Sequence, residues 1–157
     1  MKSYIIIGMG KFGAEAAKRL CELGCEVLAM DTNNTSVQQL SNEVTHAVVA
    51  DARDKEVLRA LGAKDFDCAI VAIGDNLADS VLATMNVKEL GVSKVVCKAH
   101  DDVHRRVLEK LGADRVVIPE QENAARLAKS LSAPNLLDYI ELSEEYSIIE
   151  LPVPKNW

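Results

Sequence analysis

Three glycines spaced Gly8-x-Gly10-x-x-Gly13 break an apolar opening that reads YIIIGMGKFG from Tyr4 to Gly13. The chemistry that such a spacing serves is phosphate binding. Gly8 allows a tight turn, Gly10 lets the backbone approach a pyrophosphate, and Gly13 lets the next helix pack closely on its strand. The start of that helix faces the phosphates with free N–H groups and a positive dipole end. Met9, Lys11 and Phe12 fill the intervening positions, and Lys11 adds a cation that can reach a terminal phosphate; the plain alternative is a solvated lysine. Asp31 closes a second apolar run about 20 residues further on, where a carboxylate accepts hydrogen bonds from an adenosine ribose.

Other polar or small residues stand at the ends of apolar runs: Asp31-Thr32-Asn33, Asp51-Ala52-Arg53, Ile73-Gly74-Asp75-Asn76, Lys98-Ala99-His100 and Pro119-Glu120. Ribose and adenine belong near Asp31 and Asp51-Ala52, with the pyrophosphate over Gly10–Gly13. His100 and His104 are four apart, so on a helix their imidazoles can share one side and hold a metal; the reading the residues favour is a solvated helix start, where Asp101 and Asp102 suit the dipole. Glu120 and Glu122 have the same plain reading in a first turn, against that of a carboxylate at the crevice mouth beside a phosphate-bound cation. Arg105, Arg106 and Lys110 read as a solvated face, and His46 takes no role. There is no Ser/His/Asp motif, no tyrosine–lysine pair and no Cys beside a His. A dehydrogenase also needs a substrate region that six βα units leave no room for, so binding without chemistry is the stronger reading.

The elements that must position these residues are legible from periodicity. Strands are predicted at Tyr4–Gly8, Glu26–Met30, His46–Ala50, Cys68–Ile73, Lys94–Lys98 and Arg115–Ile118. Helices are predicted at Lys11–Leu23, Thr35–Ser41, Asp54–Leu61, Asn76–Leu90, Asp102–Leu111 and Glu120–Leu131. Leu-Gly pairs at 23–24, 61–62, 90–91 and 111–112 each close a helix before a strand. Strands such as Ala69–Ile73 have almost no polar alternation, which implies burial on both faces. The predicted fold is α/β, a Rossmann-type doubly wound parallel six-stranded sheet in the order 3-2-1-4-5-6. Residues 1–132 form the nucleotide-binding domain and 133–157 a C-terminal extension, in which Leu136–Leu142 and Tyr146–Val153 add an edge element or reach a partner subunit.

The 157 residues suit one domain, and a net charge of −6 with 4% aromatic residues argues against a nucleic-acid surface. Cys21, Cys25, Cys68 and Cys97 form no CxxC pair and read as small core residues in a reducing compartment. With no apolar stretch near the roughly 18 residues of a membrane span and no signal-peptide pattern, the expectation is a soluble, cytoplasmic chain.

IIIGMGKFG, AMD at Ala29–Asp31, VVADARD at Val48–Asp54, AIVAIGDN at Ala69–Asn76, VVCKAH ending at His100 and VLEKLGADRVVIPEQENA from Val107 to Ala124 together resemble the nucleotide-binding lobe of the RCK/KTN (TrkA-N) domain family. Within that family they are most similar to the KtrA-type branch of cytosolic gating rings in bacterial potassium uptake. The resemblance implies a non-enzymatic regulator that binds ATP or ADP, or NAD/NADH, and controls a membrane potassium-translocating subunit of the KtrB/TrkH kind. It implies pairing into dimers and octameric rings, and a place at the inner face of the cell membrane. By position Lys11 contacts terminal phosphates, Asp31 the ribose, Asp51-Ala52 the adenine region and Ile73-Gly74 the crevice wall. Lys98, His100 and His104 line its far side, and Glu120 lies near the phosphates as a ligand for Mg or Ca. Lys11 departs from the arginine usual in that branch, a point charge in place of a bidentate fork. Tyr146–Trp157 reads as the first strand of a smaller C-terminal lobe, cut short. The competing readings are an NAD-dependent oxidoreductase or epimerase fragment that lacks its catalytic half, with Asp31 disfavouring NADP, and a transcriptional redox sensor.

Overall fold

Ile5, Ile6 and Ile7 are each at most 2% exposed, as a strand in the middle of a covered sheet requires. They lie in β1 (Ser3–Ile7), at the centre of a computed structural model that describes residues 1–133 in full and Asp138–Glu141 and Ser147–Glu150 by their backbone. The remaining strands are β2 (Glu26–Asp31), β3 (His46–Val49), β4 (Cys68–Val71), β5 (Val95–Lys98) and β6 (Arg115–Val117). The helices between them are α1 (Lys11–Glu22), α2 (Asn34–Leu40), α3 (Lys55–Ala60), α4 (Leu77–Glu89) and α5 (Asp102–Lys110). All six strands are parallel, in the order β3-β2-β1-β4-β5-β6, which is the doubly wound order read from the sequence. The Leu-Gly stops hold as well, with Gly24, Gly62, Gly91 and Gly112 at φ of 88°, 75°, 86° and 97°. A short 3₁₀ turn at Ala63–Asp65 was not anticipated.

Alternation along the central strands sorts the core into two layers. Ile5, Ile7, Ala69, Val71, Val95 and Cys97 face one side with Leu58, Ala83, Val87 and Leu108 from α3, α4 and α5. Ile6, Val27 and Ala29 face the other with Ala17 and Leu40 from α1 and α2. Burial pushes the Cys97 thiol up to about 11, so it sits there as an inert core residue, and no cysteine is in a disulfide.

Register places the chemistry. Ile7 pairs with Met30 and Val71, Val71 with Cys97, Asp31 with Val49, and Lys98 with Val117. One step on, Asp31, Gly8, Ala72 and Lys98 therefore stand in a single row at the carboxyl lip of the sheet. Three strand spacings put the ends of that row about 14 Å apart.

α4 packs differently from its neighbours. Its inward stripe holds Ser80, Ala83, Thr84 and Val87, with buried Asn86 alongside, whereas Leu77, Leu82 and Met85 are exposed. The buried polar groups all find partners: Thr84 Oγ1 meets Cys97 Sγ at 3.4 Å, Asn86 Nδ2 donates to the carbonyls of Ala52 (2.8 Å) and Arg53 (3.0 Å), and Ser80 meets His104. An unpaired polar group buried there would cost roughly 1–3 kcal/mol.

The described residues divide into two compact units, Met1–Ile118 and the residues from Pro119 on. In the second unit α6 (Pro119–Ser132) has no buried residue, with Glu120 and Glu122 in its first turn. Asp138–Glu141 (β7) and Ser147–Glu150 (β8) pair antiparallel as a two-stranded sheet of their own. Of the expected Leu136–Leu142 and Tyr146–Val153 stretches only these two strands are described; the rest of both, with Trp157, lies outside the described residues.

Candidate functional site

The three loop glycines are required for different reasons. Gly8 has φ 100° and donates its N–H to the Met30 carbonyl at 2.9 Å, in a conformation that side chains resist. A Cβ on Gly13 would lie 1.9 Å from the Gly8 carbonyl oxygen, so α1 can rest on the strand only with glycine there. Gly10 is under neither constraint: its φ is −72°, and a Cβ built on it meets nothing within 4 Å. The fold leaves that space open on the side where α1 begins.

α1 is also the one helix of α1–α5 with no side-chain cap. Asn33, Asp54, Asn76 and Asp101 cap α2, α3, α4 and α5 through bonds to Ser36, Glu56, Asp79 and His104 N–H. Gly10 offers α1 no side-chain oxygen, and no acid stands in its first turn. The N–H groups at its start remain available to an outside acceptor. Lys11 and Phe12 open that helix, Lys11 exposed and without a carboxylate partner among the described residues.

Asp31 is tied to the loop. Its Oδ2 accepts the Met9 N–H at 2.6 Å and its Oδ1 the Asn33 N–H at 2.8 Å. A carboxylate has about four acceptor positions, so two remain for hydroxyl donors. Asn33, predicted beside the ligand, spends its side chain on the α2 cap, and Thr32 is exposed.

Asp51 is engaged by its neighbour to a degree that sequence did not reveal. Arg53 donates through Nε to both carboxylate oxygens (3.0 and 3.1 Å), through Nη2 to Oδ2 (2.7 Å) and through its backbone N–H to Oδ1 (2.9 Å). Arg53 Nη1 also lies 3.5 Å from Asp79 Oδ1 on α4. The Arg53 side-chain hydrogen bonds hold the Asp51 carboxyl below its usual 3.8. A depressed folded value means stability that is present above pH 3.8 and lost as pH falls through the lower, folded value. The gap in melting temperature between wild type and Arg53→Met should therefore be constant at neutral pH and close below pH 3.8. The pair is half-exposed, so that gap is small; a gap that persists at pH 2 would refute the assignment.

Gly74 and Lys98 are brought together at the far end of the row. A Cβ on Gly74 would lie 2.9 Å from Lys98 Nζ and 3.0 Å from its Cε, so the lysine lies across the glycine. Ile73 is half-buried beside it, and Asp75 and Asn76 are exposed, Asn76 as the α4 cap. His100 is exposed, but His104 is 2% exposed, which corrects the expectation of a solvated helix start. Its Nδ1 accepts the His100 backbone N–H at 2.9 Å, and its Nε2 lies 2.9 Å from Ser80 Oγ. With both ring nitrogens taken internally, His104 neither lines the crevice nor shares a metal with His100. Arg105, also expected in a solvated face, is half-buried, with an Nε that has no acceptor among the described residues. Glu120 is exposed at the start of α6, in the second unit. Among the described residues no three metal-ligating side chains gather, and no helix is long and apolar enough to cross a membrane.

Sequence reasoning missed Ser80, Thr84 and Asn86, and it named Arg53 at a strand end without its bonds to Asp51. The signal for Ser80 and Thr84 was present: they occupy the stripe that Ala83 and Val87 define, while Leu82 and Met85 fall outside it.

Residues 4–119 match the TrkA-N domain family. The Ktr system potassium uptake proteins C and A of Bacillus subtilis are each 45% identical over 150 residues, 96% of this chain and 68% of theirs. Among solved structures, the GsuK channel bound to NAD is similar at a TM-score of 0.68 and 19% identity, over 97% of this chain and 28% of the channel. The Kef C-terminal domain of Shewanella denitrificans in its AMP-bound form is similar at 0.67 and 24%, over 83% and 82%. Both share its fold.

Proposed function

The chain belongs to the TrkA-N family, alongside the Ktr potassium uptake proteins, and on that premise we propose that it is a nucleotide-sensing regulatory subunit of a potassium uptake system. It binds ATP or ADP, with NAD or NADH as the second choice, and controls a membrane potassium-translocating subunit from the cytoplasmic face. The observation that carries the nucleotide reading is the open space at Gly10 beside the uncapped start of α1, a cradle that a phosphate fills and a Cβ would obstruct. NAD and AMP, named with two structural neighbours, share an adenosine with a 5′-phosphate, and the row from Asp31 to Lys98 suits such a ligand. The ribose takes the free acceptor positions of Asp31, the pyrophosphate sits over Gly10–Gly13, and further phosphate or a second ribose extends toward Lys98.

The function is binding without catalysis. The potassium-uptake relatives favour that reading over an oxidoreductase fragment. A single exposed carboxylate such as Glu120 suits a Mg or Ca ion that takes most of its ligands from elsewhere, water included. Dimers and an octameric ring provide the two global conformations between which a ligand must discriminate if it is to gate transport.

Calorimetric titration with ATP, ADP, NAD and NADH, each with and without Mg²⁺, tests the proposal. Tightest binding of ATP or ADP supports it, preference for NADH moves the reading to a redox sensor, and no binding of any of the four overturns it. Lys11 separates the phosphates: Lys11→Ala should leave ADP affinity nearly unchanged while ATP loses about tenfold, near 1.4 kcal/mol. Equal losses for the two nucleotides would dismiss that role.

A further inference from the structure

α4 and α5 meet at one buried polar contact. His104 Nδ1 accepts a backbone N–H and so carries no hydrogen; Nε2 carries it and donates to Ser80 Oγ. Ser80 is fully buried and His104 nearly so. The titratable groups about the ring are Asp101, whose Oδ1 accepts the His104 N–H at 2.8 Å, and exposed His100; α4 presents Ser80, which does not titrate. Burial outweighs the Asp101 carboxylate and holds the His104 pKa below 6.5, in favour of the neutral ring.

These bonds close a circuit around the far wall of the crevice. Gly74 lies under the Lys98 ammonium, Ala99 leads from Lys98 to His100, and the His100 N–H bonds to His104. His104 bonds to Ser80, and one turn of α4 leads back to its cap Asn76 and to Gly74. The ladder to β6 holds the Lys98 backbone on one side, through the Ala99 N–H on the Val117 carbonyl at 2.8 Å, and the buried ring holds the next residue, His100, on the other.

We propose that His104 is a positioning residue of the crevice: through one fixed tautomer it determines where the His100 backbone, and with it Lys98, stands relative to Gly74, without touching the ligand. The role rests on the nucleotide reading of the crevice.

Two variants and a nucleotide-free measurement test it. In His104→Leu both bonds are lost, and the affinity for ATP should fall about tenfold. Asn places Oδ1 where Nδ1 stood, so His104→Asn keeps the acceptor for the His100 N–H and should restore affinity to within about threefold of wild type, or 0.7 kcal/mol. Amide exchange read by NMR should find the His100 N–H protected in wild type and in His104→Asn but not in His104→Leu. Should the leucine variant fail to fold, Ser80→Ala, which removes only the Nε2 partner, should weaken ATP binding about threefold and speed His100 exchange. The proposal falls if the asparagine and leucine variants weaken binding equally, or if every variant binds as wild type does while melting lower. Wild-type protein that binds none of ATP, ADP, NAD and NADH would overturn the crevice reading and this role with it. Wild-type binding that the variants leave untouched would overturn this role alone.

Discussion

Gly13→Ala should cost about 3 kcal/mol or more of stability, whereas Gly10→Ala should stay within about 1 kcal/mol of wild type and lose nucleotide affinity by roughly tenfold or beyond. The added methyl is the same; what it meets differs. At Gly13 it would lie 1.9 Å from the Gly8 carbonyl oxygen and 3.0 Å from the Gly8 carbonyl carbon, both backbone atoms that no rotamer change can move aside. α1 would have to lift from the sheet and carry Ala17 out of the core layer it shares with Ile6. At Gly10 the backbone is already extended and the space beside it is open, so the folded apo protein tolerates the methyl. What it cannot then accommodate is a pyrophosphate at van der Waals distance. Urea unfolding reads the first effect and calorimetry the second. Stability lost equally at both positions, or affinity kept in Gly10→Ala, would break the link between the open space and the ligand.

Asp31→Ala should lower the affinity for ATP, ADP and NAD by the same factor, on the order of 10²-fold, because hydrogen bonds to a charged partner contribute about 1.5–3 kcal/mol each. The equality matters more than the size. Asp31 is assigned to the ribose, which all three ligands share, while Lys11 is assigned to the phosphate that only one of them has. Asp31→Ala should also lower stability by about 1–3 kcal/mol, since the Met9 and Asn33 N–H groups both lose their acceptor. Asp31→Asn retains an oxygen for one of those donors and should recover part of the stability with little of the affinity. Loss confined to a single nucleotide, read by the same titrations, would move Asp31 away from the ribose.

The fold was legible because its signals are periodic and local. Six apolar runs, four Leu-Gly stops and the glycine loop fixed the count, the order and the parallel sense of the strands, and each observed strand lies within about one residue of its predicted start. The predicted ends of β1, β3, β4 and β6 ran one or two residues long, at Ile73 for example, because small or apolar residues continue past the last ladder bond into the lip of the crevice; β5 ends at Lys98 as predicted and β2 runs one residue further, to Asp31. The site was legible where it rests on backbone, at Gly8, Gly10 and Gly13, and at Asp31, whose distance from the loop is set by one βαβ unit. It was less legible where side chains choose among partners. Nothing in the string Asp51-Ala52-Arg53 states that the arginine turns back on the aspartate two residues before it. His104 was read as a surface residue because helix starts are usually solvated, and the deciding fact, Ser80 facing it from α4, is a tertiary contact between residues 24 apart.

α4 has a mechanical character that follows from what it buries. Apolar faces slide past each other with little change in free energy, since the attraction between them has no direction. Hydrogen bonds do have direction, and a donor and acceptor drawn about half an ångström beyond their usual separation have largely parted. A helix seated through Ser80, Thr84 and Asn86 on four different residues therefore behaves as a notched bar, with one seat and no gradual travel. Whatever unseats it must break several bonds at once, so Leu77, Leu82 and Met85 on its outer surface shift in a step rather than by drift.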